Sequence, residues 1–178
     1  KGWHWVVYSP ENYPISMHGR KLLEKHTGKN MLVGDGRLNL EEFRKGAAWA
    51  NEHFTFLDGL DEDMTLDTIF QMVERIKSVK PVDGLIIDPW NELESFRPER
   101  MTETEYIGNC LKRSRMFARK HDISFNIVAH PFKMRKDPKT GETPIPNLYD
   151  ISGSAHWYNK ADNGITVFRD FENAITKI

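Results

Sequence analysis

The sequence holds a single cysteine, Cys110, among 178 residues, so no disulfide can close within the chain and no Cys-x-x-Cys pair is present for structural zinc. A reducing compartment is the simplest reading. Long apolar runs are also missing, since stretches such as Val6-Val7-Tyr8 and Leu85-Ile86-Ile87 stop within a few residues, well short of a membrane helix or a signal-peptide core. That predicts a soluble protein. Nor is there an excess of one charge: 25 Lys plus Arg stand against 26 Asp plus Glu, a net -1, which excludes the globally basic surface of a histone-like or polybasic membrane protein. A local basic patch stays open. An initiator methionine is absent, and Lys1 leads almost at once into the strand-like Trp3-His4-Trp5-Val6-Val7-Tyr8. We therefore expect a chain cut from something larger. A phosphate cradle is lacking too, because Thr27-Gly28-Lys29-Asn30 has no glycine five residues before Gly28 and puts Asn30 where a Ser or Thr is required.

What is present suits one ordinary core: the 178 residues are 39% apolar and 29% charged, which predicts a single domain over 1–178. Trp3 to Tyr8 reads as a strand on β-branched and aromatic content. Pro14 to His26 reads as a helix with Pro14 at its first position and Gly28 past its end. A polar loop follows to Arg37. Asn39 then suits the N-cap of a second helix that buries Phe43, Ala47 and Ala50. Phe54 to Leu57 is a short strand. Leu66, Ile69, Phe70, Val73 and Ile76 recur at helical spacing, so Thr65 to Val79 is the clearest amphipathic helix. Gly84 to Asp88 reads as a buried strand ending in a carboxylate, and Thr102-Glu103-Thr104-Glu105 as a capping box opening a helix to His121. Ile123 to Ala129 is the next strand, and Ile165 to Phe168 the last. Continuous apolar strands alternating with helices predict an α/β fold with a mostly parallel sheet covered on both faces.

Ligands of such sheets bind beyond the carboxyl ends of the strands, which makes the polar residues there informative. Glu11 follows the first strand, Asp88 ends the third and His130 follows the fourth. A carboxylate at the end of a buried strand suits Mg²⁺ on a bound nucleotide, and equally suits capping of the next helix. Glu11 suits activation of a water, or simply a solvated loop. His130 suits sensing of a γ-phosphate, or a structural hydrogen bond. Because Asp88 is followed by Pro89, the acid/base residue must come from another strand, with Glu92 and Glu94 as fallbacks expected to face solvent. The loop after His130 carries Lys133, Arg135, Lys136 and Lys139, which suits a nucleic-acid backbone or a disordered basic loop. Ile151-Ser152-Gly153-Ser154-Ala155 adds backbone N–H groups and hydroxyls at the start of a short helix, again suited to phosphate.

Tyr8-Ser9-Pro10-Glu11, Gly84-Leu85-Ile86-Ile87-Asp88, Asn126-Ile127-Val128-Ala129-His130-Pro131, and Ile151-Ser152-Gly153-Ser154-Ala155 continuing to Ala161-Asp162-Asn163 together resemble the RecA-like ATPase domain of the hexameric replicative helicases. That group includes Twinkle, the phage primase-helicases and, more distantly, DnaB. The resemblance runs over nearly the whole chain. It implies an ATP-dependent DNA helicase with Mg²⁺, translocating on single-stranded DNA, in which Glu11 polarises the attacking water, Asp88 is linked to the metal and His130 couples γ-phosphate state to the DNA loop. It further implies that Lys133, Arg135 and Lys136 lie on a central-channel loop, with Gly153 and Ser154 on a second. The implied partners are single-stranded DNA, copies of the chain in a ring of six, and a primase domain or partner. No membrane is implied. The implied location is the cytoplasm and nucleoid of a bacterial or phage system, with a mitochondrial one kept open.

In that family the P-loop precedes the strand that here begins at Trp3, and an arginine finger follows the last strand. A chain truncated at both ends is therefore expected to bind ATP weakly and to hydrolyse it negligibly on its own. Three other readings stand beside this one: a RecA-like recombinase or repair ATPase, a non-catalytic nucleic-acid-binding or oligomerisation module, and a metal-dependent hydrolase using Asp88, Glu11 and His130 directly.

Overall fold

The computed structural model describes residues 2–32, 34–59, 63–94, 96–139, 141–170 and 175–178, with the side chain of Glu94 outside the described part. In chain order its elements are β1 (Trp5–Tyr8), a 3-10 turn (Pro10–Asn12), α1 (Ile15–Thr27), α2 (Leu40–His53), β2 (Phe54–Leu57), α3 (Leu66–Lys77) and β3 (Gly84–Ile87). There follow α4 (Asn91–Glu94), α5 (Glu103–His121), β4 (Ser124–Ile127), a second 3-10 turn (Leu148–Asp150), α6 (His156–Lys160), β5 (Phe168–Asp170) and β6 (Ile175–Lys177).

Strands β1 to β4 form one parallel sheet in the order β2-β1-β3-β4. Its register stacks side chains in rows: Val6 pairs with Leu85 and Leu85 with Phe125, while Tyr8 pairs with Ile87 and Ile87 with Ile127. Alternation along a strand puts both rows on one face. There they join Leu66, Ile69 and Val73 of α3 and Ile107, Cys110 and Phe117 of α5 in a single apolar core. The opposite face takes α1 and α2, where the His18 ring lies 4.9 Å from Phe56 and Trp49 lies 5.6 Å from Phe54. Gly84 is required at this face because a Cβ there would stand 2.2 Å from the Trp5 ring. The cover is incomplete at the edge, since Ser124 and Asn126 of β4 are exposed. Among the described residues, no helix is long and apolar enough to cross a membrane.

The helix ends follow local chemistry. Asn39 and Glu42 close a capping box on α2, with the Glu42 N–H donating to Asn39 Oδ1 at 2.9 Å and the Asn39 N–H to Glu42 Oε2 at 3.0 Å. We expect Asn39→Ala to cost about 1 kcal/mol in a urea titration, because one N-terminal donor then loses its partner. Thr102 and Glu105 build the same box on α5. Pro14 stands at the N-cap of α1 and not at its first helical position, and α3 ends at Lys77, before Val79. Strands β1 and β4 are also shorter than the patterns suggest.

The last strand departs from the sequence reading. No pairing joins the segment from Ile165 to Val167 to the parallel sheet among the described residues, and Ile165 and Val167 are exposed. Phe168–Asp170 pairs antiparallel with Ile175–Lys177 in a separate two-stranded sheet. A neighbouring segment is the partner that closes the smallest loop, so it competes well against a distant sheet edge.

Candidate nucleotide and nucleic-acid site

The level register of β1, β3 and β4 brings three chain reversals to one rim. Tyr8, Ile87 and Ile127 lie side by side, so the Pro10–Asn12 turn, Asp88 and the segment leading to His130 leave the sheet at the same end. Asp88 is fixed by its backbone, whose N–H donates to the Tyr8 carbonyl at 2.9 Å. Two residues on, the Trp90 N–H donates to the Val128 carbonyl at 2.8 Å, and Pro89 and Trp90 are buried. The carboxylate is thus carried on a loop clamped on both sides.

Its side chain is held as well. Ser9 Oγ donates to Asp88 Oδ2 at 3.1 Å, and Asn12 Nδ2 donates to Ser9 Oγ at 2.8 Å while standing 3.5 Å from the same carboxylate oxygen. Lys21 Nζ donates to Asn12 Oδ1 at 3.1 Å, tying the cluster to α1. His18 borders it: burial lowers its pKa, the neighbouring Asp88 charge works against that, and Lys21 adds to the lowering. Sequence reading singled out none of Ser9, Asn12, Lys21 and His18 as site residues. The available signal was spacing, since His18 and Lys21 lie three apart on α1 and so share one face.

Glu11 is exposed on the 3-10 turn between Pro10 and Asn12, and His130 is exposed beyond β4. Neither side chain has a hydrogen-bond partner among the described residues. Glu92, expected to face solvent, is half-buried and close enough to Tyr8 that its charge, after burial itself, raises the tyrosine pKa. Glu94 was the other fallback, and its side chain lies outside the described residues.

No three His, Cys, Asp or Glu side chains among the described residues converge as ligands for one ion, so Asp88, Glu11 and His130 do not build a direct, hydrolase-type metal centre. The donor set fits Mg²⁺ instead, an ion that keeps several waters and takes one or two carboxylates beside substrate phosphates. Asp88 suits that role, since both side-chain donors meet Oδ2 and no donor among the described residues reaches Oδ1.

The Thr27-Gly28-Lys29-Asn30 segment proves the wrong chemistry for phosphate. Gly28 ends α1 with φ 67°, and Lys29 Nζ pairs with Glu42 at 2.5 Å. This is the negative end of a helix, where an anion is repelled.

The basic loop leaves and returns through one base. Pro131 bridges Ile151 antiparallel, and the Phe132 N–H donates to the Asp150 carbonyl at 2.8 Å. Lys133, Arg135, Lys136 and Lys139 are exposed along the excursion, and none of them forms an ion pair among the described residues. The antiparallel bridge also brings Ser152, at the start of the Ser152–Ser154 stretch, alongside His130. There the residues have local duties. Ser154 Oγ accepts the His156 N–H at 3.0 Å, and Thr104 Oγ1 donates to the Gly153 carbonyl at 2.9 Å. Gly153 has φ 89°, and a Cβ on it would stand 2.2 Å from Glu103 Oε1 and 2.6 Å from Ile107 Cδ1. Gly153→Ala should therefore cost about 1–2 kcal/mol in chemical denaturation, from backbone strain and lost docking on α5. The Trp157 indole N–H donates to the Ser152 carbonyl at 3.1 Å, and its ring meets Trp90 edge-on at 5.2 Å. Trp90 stands two residues from Asp88.

Three comparisons bear on this geometry. No family model matches the chain. A Twinkle homolog protein of Arabidopsis thaliana, described as chloroplastic/mitochondrial, is 40% identical over 177 residues, covering 95% of this chain and 24% of that protein. The chain therefore spans about a quarter of that relative's length. Among solved structures, an ATPase domain superposes with a TM-score of 0.67 at 15% identity, over 90% of this chain and 57% of that one. A DnaB-like replicative helicase, described with its interactions with primase, gives 0.64 at 16% identity, over 90% and 39%.

Proposed function

We propose that this chain, 40% identical to a quarter of a Twinkle homolog and sharing its fold with DnaB-like helicase ATPase domains, is the motor domain of an ATP-driven replicative DNA helicase or primase-helicase. The observation that carries the reading is the single rim on which the Glu11 turn, the clamped Asp88 and the His130 segment emerge from adjacent parallel strands.

In this reading Glu11, exposed on its turn, takes the proton of the attacking water as it approaches the terminal phosphorus of ATP. Asp88 would be the residue that holds the Mg²⁺ accompanying the nucleotide, with Ser9 donating to its Oδ2 and fixing the carboxylate. Mg²⁺, when bound with the nucleotide, neutralises charge on the phosphate oxygens. His130 stands at the base of the basic loop, one residue before the Pro131–Ile151 bridge, so a change at its ring reaches both candidate DNA segments through one short stretch of backbone. Lys133, Arg135, Lys136 and Lys139 contact phosphates of single-stranded DNA, which positions the strand without reading its sequence. Gly153 and Ser154 shape the second segment through backbone conformation. Assembly as a ring belongs to the same proposal, as does cooperation with a primase, which the primase interactions of the DnaB-like helicase support. The relative's description supports an organellar location among those considered above.

The test is unwinding of a forked duplex by the full-length protein with ATP and Mg²⁺. Unwinding supports the helicase reading, whereas strand exchange without unwinding replaces it with a recombinase. The DNA contacts carry a separate expectation: changing Lys133, Arg135 and Lys136 to Ala flattens the slope of log affinity for single-stranded DNA against log salt by about 0.7 per residue. Fluorescence anisotropy across a salt series measures it.

A further inference from the structure

We infer that Asn12 is a positioning residue for hydrolysis, holding the Glu11 turn and the Asp88 carboxylate in one fixed relation through Ser9. The inference rests on the roles proposed for Glu11 and Asp88 and adds the device that couples them. Glu11 and Asn12 are neighbours on the same 3-10 turn, so whatever fixes Asn12 fixes the backbone carrying Glu11. The Asn12 amide is engaged at both ends. Its Nδ2 donates to Ser9 Oγ at 2.8 Å, the Ser9 hydroxyl passes the contact on to Asp88 Oδ2 at 3.1 Å, and its Oδ1 accepts from Lys21 Nζ at 3.1 Å.

Direction matters in this chain. The ammonium of Lys21 can only donate, so it selects the amide orientation in which the oxygen faces α1 and the NH2 faces the sheet rim. The Ser9 oxygen, accepting from that NH2, is then free to point its own hydrogen at the carboxylate. The result is a relay from a helix on one face of the sheet to the carboxylate at the end of β3, and the turn with Glu11 lies inside it. The Asn12 backbone N–H, donating to the Ser9 carbonyl at 3.1 Å, closes the turn itself. A general base misplaced by about 1 Å loses on the order of 100-fold in rate, so Asn12 bears on hydrolysis through the position it gives its neighbours.

The test uses the full-length protein and steady-state ATP hydrolysis with single-stranded DNA present, comparing Asn12→Leu, Ser9→Ala and Glu11→Gln. We expect Asn12→Leu and Ser9→Ala each to lower kcat by about tenfold or more with KM for ATP changed less than about twofold and the melting temperature unchanged. Ser9→Ala removes one hydroxyl and keeps the test open if Asn12→Leu fails to fold. A kcat within twofold of the parent in Ser9→Ala, or a loss that follows nucleotide affinity and melting temperature together, overturns the inference. Glu11→Gln separates the two levels of argument: if it hydrolyses ATP like the parent, the role given to Glu11 fails, and if it is dead while Ser9→Ala is normal, only the relay fails.

Discussion

Glu11→Gln in the full-length protein is expected to lower kcat for ATP by about 100- to 10,000-fold, the usual contribution of a positioned general base. The amide keeps the size and the turn but has no lone pair basic enough to take a proton from water. KM for ATP should change little, because Glu11 is exposed on its turn and lies outside the Ser9, Asn12 and Asp88 hydrogen bonds. DNA binding in the presence of nucleotide should persist. A single-turnover assay beside a nucleotide-binding titration separates the two effects, and parental turnover in the variant would remove Glu11 from the mechanism. The fold carries the prediction into structure: Glu11 reaches the rim only because β1 runs beside β3, so its turn and Asp88 leave the sheet together.

Leu85→Ala is expected to destabilise the chain by about 3 kcal/mol, within the 2–5 kcal/mol range for emptying a fully buried leucine site. Leu85 is 0% exposed on β3, paired with Val6 on one side and Phe125 on the other. The loss combines the transfer free energy of the removed methyl groups with a cavity that strands on both sides prevent from collapsing. Guanidinium unfolding followed by circular dichroism measures it on the 178-residue chain itself. A loss under 1 kcal/mol would mean that the row from Val6 to Phe125 does not pack as described. Stability and the proposed site are linked here, since Leu85 lies three residues from Asp88 on the strand that leads to the carboxylate.

The placement of the candidate residues at one rim was legible where one residue sufficed. Asp88 stood out because an apolar strand ending in a carboxylate is unusual enough to notice, and Glu11 and His130 because they follow strands in the same way. The cluster around Asp88 was not legible, since Asn12, Lys21 and Asp88 are separated by 9 and 76 residues along the chain. Glu92 was misjudged for a related reason. Its helix is only four residues long, too short for periodicity to say which side faces the protein. Gly153 and Ser154 read as suited to phosphate, and the structure adds local duties that sequence did not show: the Gly153 carbonyl accepts from Thr104 and Ser154 Oγ accepts from the His156 N–H.

What the sequence alone determined is what acts over a turn or two of chain: the capping boxes at Asn39 and Thr102, the apolar stripe of α3, the strand at Phe54–Leu57, and the lack of a phosphate cradle at Gly28. Those follow from propensity, capping and hydrophobic period, which depend on residues three or four apart. Tertiary structure decided the order β2-β1-β3-β4, the meeting of the Glu11 turn with Asp88, the capture of Lys29 by Glu42 and the pairing of β5 with β6 outside the main sheet. Each of these is a choice among partners that look alike locally. Such choices are settled by loop closure and by which apolar rows can be buried together, quantities that belong to the whole chain.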